Sequence, residues 1–147
     1  MAKIERSALV RFTCEQMYTL VNDVARYPEF MPGCIAAEVL DQSTSQLTAR
    51  LTLSKAGMTQ SFITRNELNP PTSMQMTLVE GPFQNFNGCW RFTPLGDLGC
   101  KIAFELDFCL SSSLLALAAG RMFEAVASQQ VECLCKRADQ LYGSAKY

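Results

Sequence analysis

A chain without histidine has few routes to acid–base or nucleophilic chemistry, and none of these 147 residues is histidine. The commonest general base, the commonest zinc ligand and any Ser/His or Cys/His pair are removed together. Seven cysteines remain, an odd number without the paired spacing of a zinc site. Cys133 and Cys135 stand about 200° apart around a predicted helix, so they do not chelate one ion. No metal site and no disulfide framework is expected from this set. Cys34, beside Gly33, is a thiol with no histidine to activate it. The carboxylates that acid–base work needs fall on outward strand positions such as Glu105 and Asp107. Glu29 and Glu80 flank two apolar turns and are read as surface residues that favour solubility. No catalytic residue is assigned, and the chemistry left to the chain is binding.

Binding has a candidate seat in the run Tyr27, Pro28, Glu29, Phe30, Met31, Pro32, Gly33, Cys34, which follows the helix-like stretch Glu15 to Val24. Two prolines four positions apart do not both sit inside a helix. The chain is therefore expected to leave the helix, make a short turn and enter a strand. Corners are usually polar, so Tyr27, Phe30 and Met31 on this one imply a lid over an apolar interior.

The elements that must carry this corner read clearly. Ile4 to Phe12 is expected as a first strand with Ile4, Ala8, Val10 and Phe12 on one face, although Arg6 interrupts the pattern. Thr13 with Gln16 three residues on is a capping-box signature, and Met17, Leu20, Val21 and Val24 follow on one helical face. From Gly33 the period becomes two: Leu47, Ala49, Leu51 and Leu53 alternate with Thr48, Arg50, Thr52 and Ser54. Met74, Met76 and Leu78 continue it, then Phe86, Trp90 and Phe92, then Ile102, Phe104, Leu106, Phe108 and Leu110. Turn signals at Gln42 to Ser45, Ala56 and Gly57, Asn69 to Pro71, and Leu95 to Asp97 separate six strands in an antiparallel meander. A long helix closes the chain, with Ser111, Ser112 and Ser113 offering an N-cap and Gly143 ending it. Its apolar stripe runs through Ala116, Ala119, Phe123, Ala127, Val131, Leu134, Ala138 and Leu141, widened by Leu115, Met122 and Val126. Glu132 and Lys136 pair four residues apart on the other side.

A formal charge of -1 and a pI near 5.4 argue against affinity built on neutralising phosphates, so DNA is not an expected partner. The apolar run Leu114 to Ala119 is far too short to cross a bilayer, and no charged start followed by an apolar stretch suggests a signal peptide. The expectation is a cytoplasmic protein of one domain spanning 1–147, long enough to bury roughly 70% of the surface its unfolded chain exposes. The apolar faces of sheet and helix must bury each other, so the sheet curls around the helix in an α+β arrangement. Inner positions rich in Phe and Met are ordinary core, or adapt around an apolar ligand.

The helix end Leu20 to Val24 running into Tyr27 to Cys34, together with Ser54 to Gly57, Gly81-Pro82-Phe83 and Trp90-Arg91-Phe92, resembles the family of ribosome association toxins and mitochondrial coenzyme Q-binding proteins. That family lies in the START-like, polyketide cyclase-related superfamily, and the resemblance covers essentially the whole chain. It implies a helix-grip fold, a curved antiparallel seven-stranded sheet wrapped around a long C-terminal helix, with an apolar tunnel between them. The coenzyme Q-binding members hold a polyprenylated quinone there and support respiration without catalysing a reaction. The implied ligand is ubiquinone or a similar lipid, with no required cofactor, no transmembrane segment and transient membrane contact. The residues at stake are Tyr27, Phe30, Met31, Met76, Phe83, Trp90, Phe92, Phe104 and Phe123. The Tyr27 hydroxyl and the Trp90 ring nitrogen can donate to a quinone carbonyl, or to backbone carbonyls instead. The toxin members are described as binding the large ribosomal subunit and blocking subunit joining. For that partner the surface candidates are Lys55, Arg65, Arg91 and Lys101, which solvated charge on an outer sheet face explains as well. Other superfamily members cyclise polyketides, a chemistry this chain's residues do not favour. Fold does not choose between these functions.

Overall fold

The computed structural model describes residues 2–55, 57–110 and 114–143. The expected N-cap serines Ser111, Ser112 and Ser113, and the turn residue Ala56, lie outside the described residues. Strand β1 (Ala2–Val10) leads into helix α1 (Cys14–Asn22). The capping box forms as its sequence signature requires: the Gln16 N–H donates to Thr13 Oγ1 at 3.0 Å, and the Thr13 N–H donates to Gln16 Oε1 at 2.9 Å. A 3-10 turn (Val24–Glu29) follows, then β2 (Cys34–Gln42), β3 (Gln46–Lys55), β4 (Met58–Asn69), β5 (Ser73–Glu80), β6 (Phe83–Pro94) and β7 (Cys100–Leu110). Helices α2 (Leu114–Ala127) and α3 (Gln130–Tyr142) follow.

The seven strands form one antiparallel sheet in the order β1-β7-β6-β5-β4-β3-β2. It is a meander from β2 to β7, with β1 laid beside the last strand. Alternation decides its faces: Leu47, Ala49 and Leu53, Met74, Phe86, Trp90 and Phe92, and Ile102 to Phe108 at every second position are buried on one side. The helices cover that side, α2 against β3, β4 and β7, and α3 against α1, β1 and β7. This is the helix-grip arrangement. Arg6 falls into place as well. It stands at an inward position, opposite the buried Phe104, on the edge strand β1, where an inward charge discourages pairing with another sheet.

Three elements differ from expectation. Strand β1 begins and ends two residues early, because its ladder stops where β7 begins, with Val10 opposite Cys100. Phe12 is buried all the same, its ring 5.8 Å from that of Tyr142. The corner is not a simple turn: Asp23 breaks α1 and the chain re-coils into the 3-10 turn, which accepts Pro28 and leaves Pro32 outside. The C-terminal helix is broken into two. The Gln129 N–H turns to the Val126 carbonyl at 3.2 Å, and Ser128 Oγ donates to the Ala125 carbonyl at 3.1 Å, a side-chain bond that competes with the helical ladder. The register restarts when the Cys133 N–H donates to the Gln129 carbonyl. Beyond the break, Lys136 and Glu132 pair at 3.4 Å as their spacing requires, while Leu141, expected on the buried stripe, is 49% exposed.

Candidate functional site

The concave face of the sheet meets α2 and the corner around a cavity of about 50 Å³. Each wall follows from a local feature. From β3 come Ala49, Leu51 and Leu53; from β4, Phe62, Thr64 and Asn66; from β6, Phe86 and Trp90. Helix α2 supplies Phe123, Val126 and Ala127, and the first residue of α3, Gln130, stands beside them. Trp90 stacks on Phe104 with centroids 4.4 Å apart and is fully buried. One end is closed by interlocked rings: Phe123 lies 4.9 to 5.9 Å from Phe62, Phe83, Phe86 and Phe108. The tunnel implied by the resemblance is thus largely filled by aromatic side chains. Gly88, on the inner face of β6, keeps room beside the cavity wall, since a Cβ there would sit 2.6 Å from the terminal methyl of Met76.

Of the nine ligand candidates read from the sequence, Tyr27, Met76, Trp90, Phe104 and Phe123 line the cavity. Phe83 stands behind Phe123 in the ring cluster. Phe92 is buried on the far side of Trp90, against Tyr18. Met31 is buried in the corner, and Phe30 lies outside the cavity, under the guanidinium of Arg137 at 5.1 Å. The Tyr27 hydroxyl donates to the Val21 carbonyl, so backbone and not a ligand takes this proton; burial raises its pKa and keeps it there. Thr64 and Asn66, both 4% exposed, were missed. The alternation of Phe62, Thr64, Asn66 and Leu68 along β4 was the signal that these polar residues face inward.

The corner is held at two points. Gly33, at φ +90, lets the chain pass α2 and accepts a hydrogen bond from the Ser54 N–H at 2.8 Å. Glu29 bonds Arg26 at 3.0 Å and Arg137 of α3 at 2.9 Å. The Arg26 hydrogen bond, with Arg137 adding to it, holds the Glu29 carboxyl below its ordinary value. A depressed carboxyl contributes stability above its unfolded pKa and loses it as pH falls through the folded value. Acidification below the usual carboxylate range therefore unlatches the corner from α3. Thermal melts between about pH 3 and 7 should show Glu29→Gln less acid-sensitive than the parent chain, and equal sensitivity would rule the latch out.

Cys34 is buried, its thiol 3.6 Å from the Ala36 carbonyl, and burial pushes its pKa up. Slow alkylation of Cys34 relative to the half-buried Cys89, read by peptide mass spectrometry, is the expected result. Rapid labelling would mean an open corner. The ribosome candidates Lys55, Arg65, Arg91 and Lys101 are all exposed, and no ion pair among the described residues involves them. Arg91, opposite Ala103, and Lys101, opposite Thr93, are diagonal neighbours on the outer face. Arg65 lies on β4, beyond β5, and Lys55 ends β3.

The model of the family "Polyketide cyclase / dehydrase and lipid transport" matches residues 10–135. The ribosome association toxin RatA of Vibrio cholerae is 48% identical over 97% of this chain and 99% of its own length. RatA of Escherichia coli is 44% identical over 98% and 91%. This chain belongs to the RatA family. A more distant relative is the mitochondrial coenzyme Q-binding protein COQ10 homolog B of Xenopus laevis, 29% identical over 93% of this chain and 58% of its own. The Zhui aromatase/cyclase from Streptomyces superposes with a TM-score of 0.83 over 95% of this chain and 94% of its own, at 16% identity, a likeness of fold alone. Among the described residues, no helix of this RatA-family chain is long and apolar enough to cross a membrane.

Proposed function

We propose that this RatA-family chain is a non-enzymatic binding protein acting as one domain in the cytoplasm. It holds a hydrophobic ligand, a polyprenyl quinone such as ubiquinone or a similar lipid, between the sheet and the C-terminal helices, and so supports quinone handling in respiration. The observation that carries this reading is the apolar cavity at the sheet–helix junction, bounded by Tyr27, Met76, Trp90, Phe104 and Phe123. A cavity of about 50 Å³ takes solvent-sized guests, and benzene needs about 150 Å³, so a ring enters only as the wall yields. Met76 is suited to yielding, because an unbranched thioether repacks with little cost. Among the described lining residues Tyr27 alone is titratable, and its proton is committed to Val21, which favours binding over cyclisation. Loading from a bilayer needs only transient membrane contact. The test is native purification, solvent extraction and mass spectrometry of the extract. A stoichiometric prenyl quinone supports the reading; no lipid, with no quenching of Trp90 fluorescence by added quinone, sinks it.

A second reading is association with the large ribosomal subunit, blocking subunit joining. It is favoured by near-complete alignment with the RatA toxins at 44% and 48% identity. Arg91 and Lys101 are the cations best placed to act together, with Arg65 and Lys55 farther across the surface. Comigration with large subunits in a gradient, and fewer joined ribosomes on overproduction, are the expected results. A steep loss of comigration with added salt would favour phosphate contact, and a flat response would point to ribosomal protein.

A further inference from the structure

Strand β4 sets Thr64 and Asn66 two residues apart in a wall whose other polar side chains are Tyr27, committed to the Val21 carbonyl, and Gln130 at the start of α3. The Asn66 carboxamide is half used. Its Nδ2 donates to the Met74 sulfur at 3.6 Å, and its Oδ1 has no hydrogen-bond partner among the described residues. An amide oxygen taken out of water without a partner is costly, and a thioether is a weak acceptor for the other end. Leucine at this position would pack between Leu47 and Met76, its neighbours across the ladder, without that cost. Packing therefore does not account for Asn66, whereas a guest bearing a donor does.

The amide's orientation decides which guest. Turning it over would set Oδ1 against the sulfur lone pairs and lose the one hydrogen bond it makes, so the group left unpaired is an acceptor, buried in the wall and reached as the wall yields to a guest. Thr64 can donate or accept and is indifferent to the choice. A quinone carbonyl offers only lone pairs; a hydroquinone or phenol offers an O–H. We infer that Asn66 makes this cavity selective for the hydroxyl-bearing form of an apolar ring, a hydroquinone or phenol, over the oxidised quinone. The inference rests on the cavity-binding reading above and names the ligand's hydrogen-bonding form.

Three probes sharing one ring and one short alkyl tail test it on the full chain by anaerobic calorimetry: the 1,4-hydroquinone, the 1,4-benzoquinone, and the dimethyl ether of the hydroquinone. The hydroquinone should bind about tenfold more tightly than the other two, the effect of one good hydrogen bond. Asn66→Leu should abolish that preference. Equal affinity for the three probes, or tighter binding of the quinone, overturns the inference and leaves cavity binding intact. A preference that survives Asn66→Leu overturns the assignment to Asn66. Failure of all three probes to bind overturns the inference together with the reading beneath it. The comparison of probes on the parent chain needs no variant to fold.

Discussion

Phe123→Ala should lower the free energy of unfolding by about 3–5 kcal/mol, the range for deleting a packed ring from a core. Phe123 is 6% exposed and lies within ring contact of Phe62, Phe83, Phe86 and Phe108, which come from three strands. Strands locked in a ladder cannot close on the vacated volume, so the cost sits toward the top of the range. For a chain of this length the melting temperature should fall on the order of 10 °C. Calorimetry checks the loss; a change under about 1 kcal/mol would mean that the neighbouring rings repack into the gap. The same deletion joins the vacated volume to the existing cavity, so the variant should regain part of its stability when saturated with benzene. No rise in melting temperature with benzene would show that the two spaces do not connect.

Gly33→Ala should cost about 2–4 kcal/mol through two separable effects. The backbone at φ +90 lies where a Cβ is strained, and that Cβ would stand 2.7 Å from Cγ2 of Val126. The first effect belongs to Gly33 alone, while the second needs Val126. In a double-mutant cycle with Val126→Ala, the coupling should return the overlap and leave the backbone strain. Additive losses in urea titrations would place the whole cost in the backbone. Because Gly33 joins the corner to α2, the variant should also label faster at Cys34.

The parts of this protein visible in its sequence are those dictated by period and by local bonds. Thr13 and Gln16 satisfy each other within one turn of helix, so their pattern needed nothing distant. The inner faces of β3, β5, β6 and β7 follow from alternation alone. The two-part C-terminal helix escaped because Ser128 and Gln129 are tolerated in helices, and the break shows only in the hydrogen bonds of Ser128 to Ala125 and of Gln129 to Val126. The fate of the Tyr27 hydroxyl was decided by Val21, near the end of α1, where carbonyls lack helical partners and draw nearby donors. Phe30, Met31, Phe83 and Phe92 share the residue type of the cavity wall but do not line it. Depth behind a wall is set by packing between elements, and periodicity does not carry it.

The sheet's one non-sequential pairing has a consequence for the order in which the chain can assemble. From β3 to β7 every strand pairs with its predecessor, so each ladder closes over a hairpin. Strand β1 is different: Val10 pairs with Cys100 and Ala2 with Phe108, a loop of about 90 residues or more. The entropy of that closure falls before any of its contacts form, which slows this step relative to the hairpins. During synthesis β1 emerges ahead of β2 to β7 and is therefore without its partner until β7 has been translated. Strand β1 is made before the meander it joins and is among the last strands paired.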